Sequence, residues 1–262
     1  LGPIIASLVP IEELLFSSAA MLVGAIACTF ALARWARANP RAKQLSEGEL
    51  IGGNWWAGLK SLVTSPFLRH MVLLTLLSEA IGTMAYGLAA DYIKVNFADA
   101  EARKTMYAQI DLMTNTLIVL MQGFGITRFI LSRYGVAVGM VVPSVFNFCV
   151  LLAVALAGQP AAVIAMLVIT RAGAYGLYKP ASDAIYTRVS REVKYKGKNA
   201  IDTVIWRLGD VLVSGGMALA KPLAIGVVGY SLVSAGCSAA AAWVGWRTPR
   251  AADLEPDAAP PH

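Results

Sequence analysis

Charge is scarce in this sequence. Asp, Glu, Lys and Arg make up 15% of its 262 residues and hydrophobic residues 57%, whereas a soluble domain usually carries about 25% charged residues. The deficit counts against a water-soluble fold and points to a bilayer. Histidine is almost missing, with only His70 and His262. A membrane-embedded hydrolase needs a His beside Ser or Cys, or a metal held by His and acids, so enzyme chemistry, a metal centre and a cofactor are not expected. Cys28, Cys149 and Cys237 are the only cysteines. They lie in apolar stretches without metal-like spacing and read as small packing residues. No Lys occurs between Lys221 and Arg247, which counts against a retinal Schiff base in the last apolar stretch. The run "GFGITRFILSRYG" is no phosphate loop, because no Lys-Ser/Thr follows it and no strand precedes it. A basic region followed by a short apolar segment and a small-residue cleavage site is also missing, so nothing marks a secretory signal.

Long apolar runs are what the chain does have. No charge occurs from Leu14 to Ala33 or between Lys221 and Arg247, and about 20 apolar residues cross a hydrocarbon core about 30 Å thick. The uncharged run between Arg133 and Arg171 is too long for one crossing, and Gly158-Gln159-Pro160 supplies a break near its middle. Three further segments have the right length but contain charge: about Met71 to Ile93, about Met106 to Thr127 and about Ala200 to Ala220. The expected fold is therefore all-α, a polytopic membrane bundle of about seven spans, with the opening "LGPIIASLVP" read as the end of another.

Lys and Arg alternate between loops. One side receives Arg34 to Arg69, Arg128 and Arg133, Lys179 to Lys198, and Arg247 with Arg250; the other receives Lys94, Arg103, Lys104 and Lys221. By the positive-inside rule the first side is cytoplasmic and the C-terminus lies inside. The net charge of +6 is then explained by topology and anionic lipid, and no nucleic-acid partner is expected. The organisation reads as residues 1–33, a helix end and a helix; 34–65, a cytoplasmic loop holding a short interfacial helix with Trp55 and Trp56; 66–247, six helices; and 248–262, a disordered Pro/Ala-rich tail.

Charges inside spans are costly, roughly 2.5 to 3.5 kcal/mol for one at the centre, so they usually face a partner or a wet cavity. Glu79 is the deepest, flanked by apolar residues in "LLTLLSEAIGTMAYG", and reads either as a cavity group or as a neutral structural acid. On the helix of Asp202, Arg207 and Asp210, about 100° per residue separates the two acids by roughly 80° and sets Arg207 roughly 140° from Asp202. Arg207 and Asp210 read either as an i,i+3 pair or as part of a gate. Glycines such as Gly87, Gly173, Gly176 and Gly209 read as helix-contact positions.

The stretch "KYKGKNAIDTVIWRLGD", Lys194 to Asp210, is similar to the signature of the ATP/ADP translocase family of plastids and intracellular bacteria, which has relatives in free-living bacteria and is related to the major facilitator superfamily. The preceding "LYKPASDAIYTRVSRE" and the earlier "YGLAADYIKVNFADAEARKTMYAQIDLMTNTLIVLMQ" are similar to the corresponding family segments, over about Ser65 to Arg247. The resemblance implies a major facilitator-like second half: helices six to twelve of a twelve-helix secondary transporter, with the N-terminal half of the same protein as partner. It also implies a bacterial cytoplasmic membrane, alternating access and exchange of a nucleotide or another organic or phosphorylated anion. Glu79, Asp111, Arg171 and Arg207 are then the candidates for cavity or gate, joined by Lys179, Lys198, Asp202 and Asp210. The nucleotide carriers place Lys after Leu-Gly, whereas Asp210 follows Leu208-Gly209 here; they also place Lys at the position of Ser182. Reversing a charge at a phosphate-facing point disfavours an anion. A transporter-shaped scaffold or sensor that no longer transports is the alternative.

Overall fold

A computed structural model describes residues 11–38, 55–157, 159, 161–190 and 193–254. Every regular element among them is helical. The chain divides into two units, residues 1–54 and 55–262. The first unit contains α1 (Ile11–Ala38), a helix with the length and apolarity to cross a bilayer. The expected helix end at residues 1–10 lies outside the described residues, as do 39–54 of the expected loop and 255–262 of the expected tail.

The second unit opens with α2 (Trp55–Thr64), a ten-residue helix where an interfacial helix is expected. Its Leu62 is buried in the main core and Val63 is exposed, as befits an amphipathic segment. Then α3 (Pro66–Asn96) begins on a strong start signal: Ser65 accepts a hydrogen bond from the Leu68 amide at 3.0 Å, and Pro66 occupies the first turn. Such a cap contributes about 1 kcal/mol. Asp99 caps α4 (Ala100–Gly123) in the same way, through the Ala102 amide. Gly125, at a φ of 70°, turns the chain into α5 (Ile126–Ala157), and Gly135, at a φ of 82°, breaks α5 after its first turns. Both positions need the left-handed region that glycine occupies without a Cβ clash. The last three helices are α6 (Ala162–Arg188), α7 (Val193–Leu223) and α8 (Val227–Asp253).

Among the described residues six helices are long and apolar enough to cross a membrane: α1, α3, α5, α6, α7 and α8. The seventh expected span, α4, has 24 residues but carries Gln109, Asp111, Asn115 and Gln122 along it, which lowers its apolarity below that of the others. Two further differences concern boundaries. Lys194 to Lys198, expected as a loop, is helical and forms the start of α7. The final helix runs past Pro249 to Asp253 with Thr248, Ala251 and Ala252 buried, so the tail begins later than its composition suggests; Arg188 holds the end of α8 through Asp253 at 3.8 Å.

The bundle is knitted by α8, which packs on α3 and α5. Its buried residues are almost all small: Ser231, Ser234, Ala235, Ser238, Ala241, Val244, Gly245, Thr248, Ala251 and Ala252. That spacing of three and four draws one seam along the helix, and small residues there let backbones approach closely without a hydrophobic driving force from water. At the seam a methyl group on Gly245 would sit 3.3 Å from Met140 Cβ. Large apolar side chains gather instead in two cores. One, at the basic end, holds Phe67, Leu68, Met71, Leu74, Met140 and Tyr186. The other, at the opposite end, holds Leu88, Ile93, Ile110, Leu151, Met166 and Leu167.

Candidate functional site

Between the two cores lies a cavity of about 640 Å³, walled by α3, α5, α6, α7 and one residue of α8, Ala241. Its size falls within the range of about 300 to 1,000 Å³ usual for small-molecule sites. Five of the eight candidate residues line it: Glu79, Arg171, Lys179, Asp202 and Asp210. Two more attach to its walls, Asp111 through Arg171 and Lys198 through Asp202. Arg207 does not line the cavity, and its side chain is 83% exposed.

The helices that carry these residues are irregular beside the cavity. α6 changes to a π-helical turn over Ala174–Tyr178, and α7 does so over Val193–Gly197 and Ile201–Ile205. A π turn holds more residues than an α turn, so it rotates every later side chain relative to a regular helix. The Ile201–Ile205 turn follows directly on Lys198–Ala200 and contains Asp202. Past it, Asp210 lines the same cavity as Asp202 while Arg207 points away, in keeping with acids roughly 80° apart and Arg207 roughly 140° from Asp202 at about 100° per residue.

At the basic end the charges form a closed network. Lys179 Nζ donates to Asp202 Oδ1 at 3.2 Å and Lys198 Nζ donates to Asp202 Oδ2 at 3.0 Å. Asp183 completes it, 3.2 Å from Lys198 and 4.0 Å from Lys179. Two cations therefore meet two anions across α6 and α7. The aromatic rings add to this: Lys179 Nζ lies 5.5 Å from the centroid of Trp206 and Lys198 Nζ lies 5.8 Å from that of Tyr186. Further along, Arg171 donates from Nη1 to Asp111 Oδ1 at 2.6 Å, linking α6 to α4. A charge-assisted bond this short is among the strong ones.

The middle of the cavity is different. Glu79 on α3 faces α7, and it lines the cavity together with Trp206 and Asp210. Gly209 permits this approach, since a Cβ there would lie 3.0 Å from Glu79 Cβ and 3.1 Å from its Cγ. Thr83 donates to Asp210 Oδ1 at 3.0 Å. The nearest base is Arg207, whose Nη1 is 3.8 Å from Asp210 Oδ2, within the i,i+3 spacing read from the sequence. Across the cavity Asn147, only 8% exposed, carries an Oδ1 that finds no donor among the described residues.

Sequence reasoning missed Asp183, Thr83 and Asn147. Asp183 follows Lys179 by four residues and was open to discovery as an i,i+4 partner. Thr83 lies one helical turn beyond Glu79. Asn147 follows Pro143 in α5 by four residues, and a polar amide deep in an apolar run is the signal that would have found it. Comparison with protein-family models, with curated proteins and with solved structures returns no match.

Proposed function

We propose that the protein is a membrane secondary transporter of the facilitator type, in which the cavity of α3, α5, α6 and α7 receives the substrate. The observation that carries this reading is the cavity itself: a drug-sized space bounded by helices of membrane-spanning length, with charged side chains at mid-helix positions. Charges kept at such depth normally serve a substrate or ion path. Two π-helical turns beside the cavity, in α6 and α7, mark places where the helices depart from regular packing, and such bulges recur at functional sites. The resemblance of Lys194 to Asp210 to the ATP/ADP translocase signature supports the same reading, as does the basic bias of one set of helix ends. With that bias the basic end of the cavity faces the cytoplasm of a bacterium.

An anion entering this cavity finds each lining base already engaged, Arg171 by Asp111 and Lys179 by Asp202. Exchange of an organic or phosphorylated anion would therefore proceed by displacing a carboxylate from one of these bases. Counterflow in reconstituted vesicles tests the transporter reading: saturable uptake of a labelled solute, accelerated by the same solute inside, is expected. Flat uptake of nucleotides, other organic anions and organic cations alike would contradict it.

A further inference from the structure

We infer that the middle of the cavity binds an organic cation, through Glu79 and Asp210. The inference rests on the transporter reading for its physiological purpose and names the substrate class of that same cavity. Four observations converge on it. First, Glu79 and Asp210 line one cavity inside a bundle of helices of membrane-spanning length, and Gly209, next to Asp210, lets α7 approach Glu79 closely; two carboxyl groups so placed share a proton or attract a cation. Second, among the described residues no uncommitted base supplies that partner from the cavity side. Arg171 and Lys179, the two bases that line it, are committed to Asp111 and Asp202, and Arg207 reaches Asp210 at 3.8 Å from a largely exposed position.

Third, the buried Asn147 Oδ1 on the opposite wall is an acceptor without a donor among the described residues. An unmet buried acceptor is destabilising, and turning the amide toward the cavity would let a ligand N–H satisfy it. Fourth, aromatic rings form part of the walls. Tyr86, Tyr175 and Tyr178 line the space, and ring faces attract cations, more strongly once water is excluded. Trp206 shows this preference already, with the Lys179 ammonium over its ring. Carboxylates at the centre, aromatic walls and a spare acceptor suit a flat, amine-bearing cation. They do not suit a nucleotide, whose phosphates would meet Glu79 and Asp210.

Titration of the purified full chain in detergent with ethidium, followed by its fluorescence, tests the inference, with ATP titrated in parallel by its effect on thermal unfolding. Saturable ethidium binding, displaced by tetraphenylphosphonium and unaffected by ATP, is expected. Glu79→Gln and Asp210→Asn should each weaken it at least tenfold, while Arg207→Ala leaves it within threefold. Size-exclusion profiles identify any variant that fails to fold, and the wild-type contest between ethidium and ATP decides without variants. Absence of ethidium binding overturns the inference and leaves the acid pair to a proton alone. Displacement of ethidium by ATP, or unchanged binding in both acid variants, overturns it as well. Because binding is read without transport, ethidium binding by a protein that moves no solute supports this site and contradicts the transporter reading.

Discussion

At the basic end of the cavity Asp202 sits between Lys179 and Lys198, with Asp183 closing the network; at its middle Glu79 and Asp210 share the lining, and among the described residues the ion-pair partner of Asp210 is the exposed Arg207 at 3.8 Å. The two places share α7, with α6 completing the first and α3 the second, and eight residues of α7 separate Asp202 from Asp210. Yet one set of charges is balanced within the fold and the other is not. A balanced network gains from its own contacts and costs stability when one member is removed, because the others remain desolvated without a partner. An unbalanced pair of like charges behaves in the opposite way: neutralising one member relieves repulsion, and what is lost is the capacity to hold a ligand. Stability and function are thus expected to separate between the two places.

The largest effect on stability is expected at the network. Asp202→Ala leaves Lys179 and Lys198 without their shared acceptor; since these side chains are about one-third exposed, the cost lies between the surface and buried extremes, at about 2 kcal/mol. Thermal unfolding in detergent measures it, and adding Lys198→Ala to Asp202→Ala should recover part of the loss. An undiminished melting temperature would erase the contrast from one side. Gly209→Ala comes next. Its methyl group would press on Glu79 Cβ and Cγ, atoms that cannot swing away as a side-chain tip can, so about 1 to 2 kcal/mol is expected, together with weaker ligand binding because the two helices move apart.

Glu79→Gln sharpens the comparison from the other side. The amide keeps the shape and removes one of two adjacent carboxyls, so stability is expected to change by less than about 1 kcal/mol while uptake in vesicles falls at least tenfold. A large loss of stability would show that the acid is a structural member of the bundle. The smallest effect belongs to Arg207→Ala, at under about 0.5 kcal/mol, because an exposed ion pair 3.8 Å apart contributes little. This reverses the weight that its place in the signature-like stretch suggests.

How much of this was readable from sequence follows from what each feature depends on. Spans, their order and the basic alternation depend on composition over some 20 residues, and α3, α5, α6, α7 and α8 appear where uncharged or nearly uncharged runs place them. Ser65 and Pro66 announced the start of α3 by local chemistry. Glu79 stood out by depth alone. The partners were harder. Asp183, Thr83 and Asn147 are ordinary residues for a helix, and only the packing of α3, α5, α6 and α7 brings them to one space. The direction of Arg207, roughly 140° from Asp202, was readable from helix phase; its exposure was not, because that depends on which neighbours pack against α7. The lower apolarity of α4, by contrast, was written in Gln109, Asp111 and Asn115, beside a length that fits a span.

The most direct test sets two double variants of the full chain side by side, Glu79→Gln with Asp210→Asn and Lys179→Ala with Asp202→Ala, and measures melting temperature and ethidium affinity for each. The acid-pair variant is expected to keep its melting temperature and lose affinity by at least tenfold, and the network variant to lose melting temperature while retaining more of its affinity. Losses of both quantities in the same proportion in the two variants would contradict the division of the cavity into a balanced basic end and an acidic binding middle.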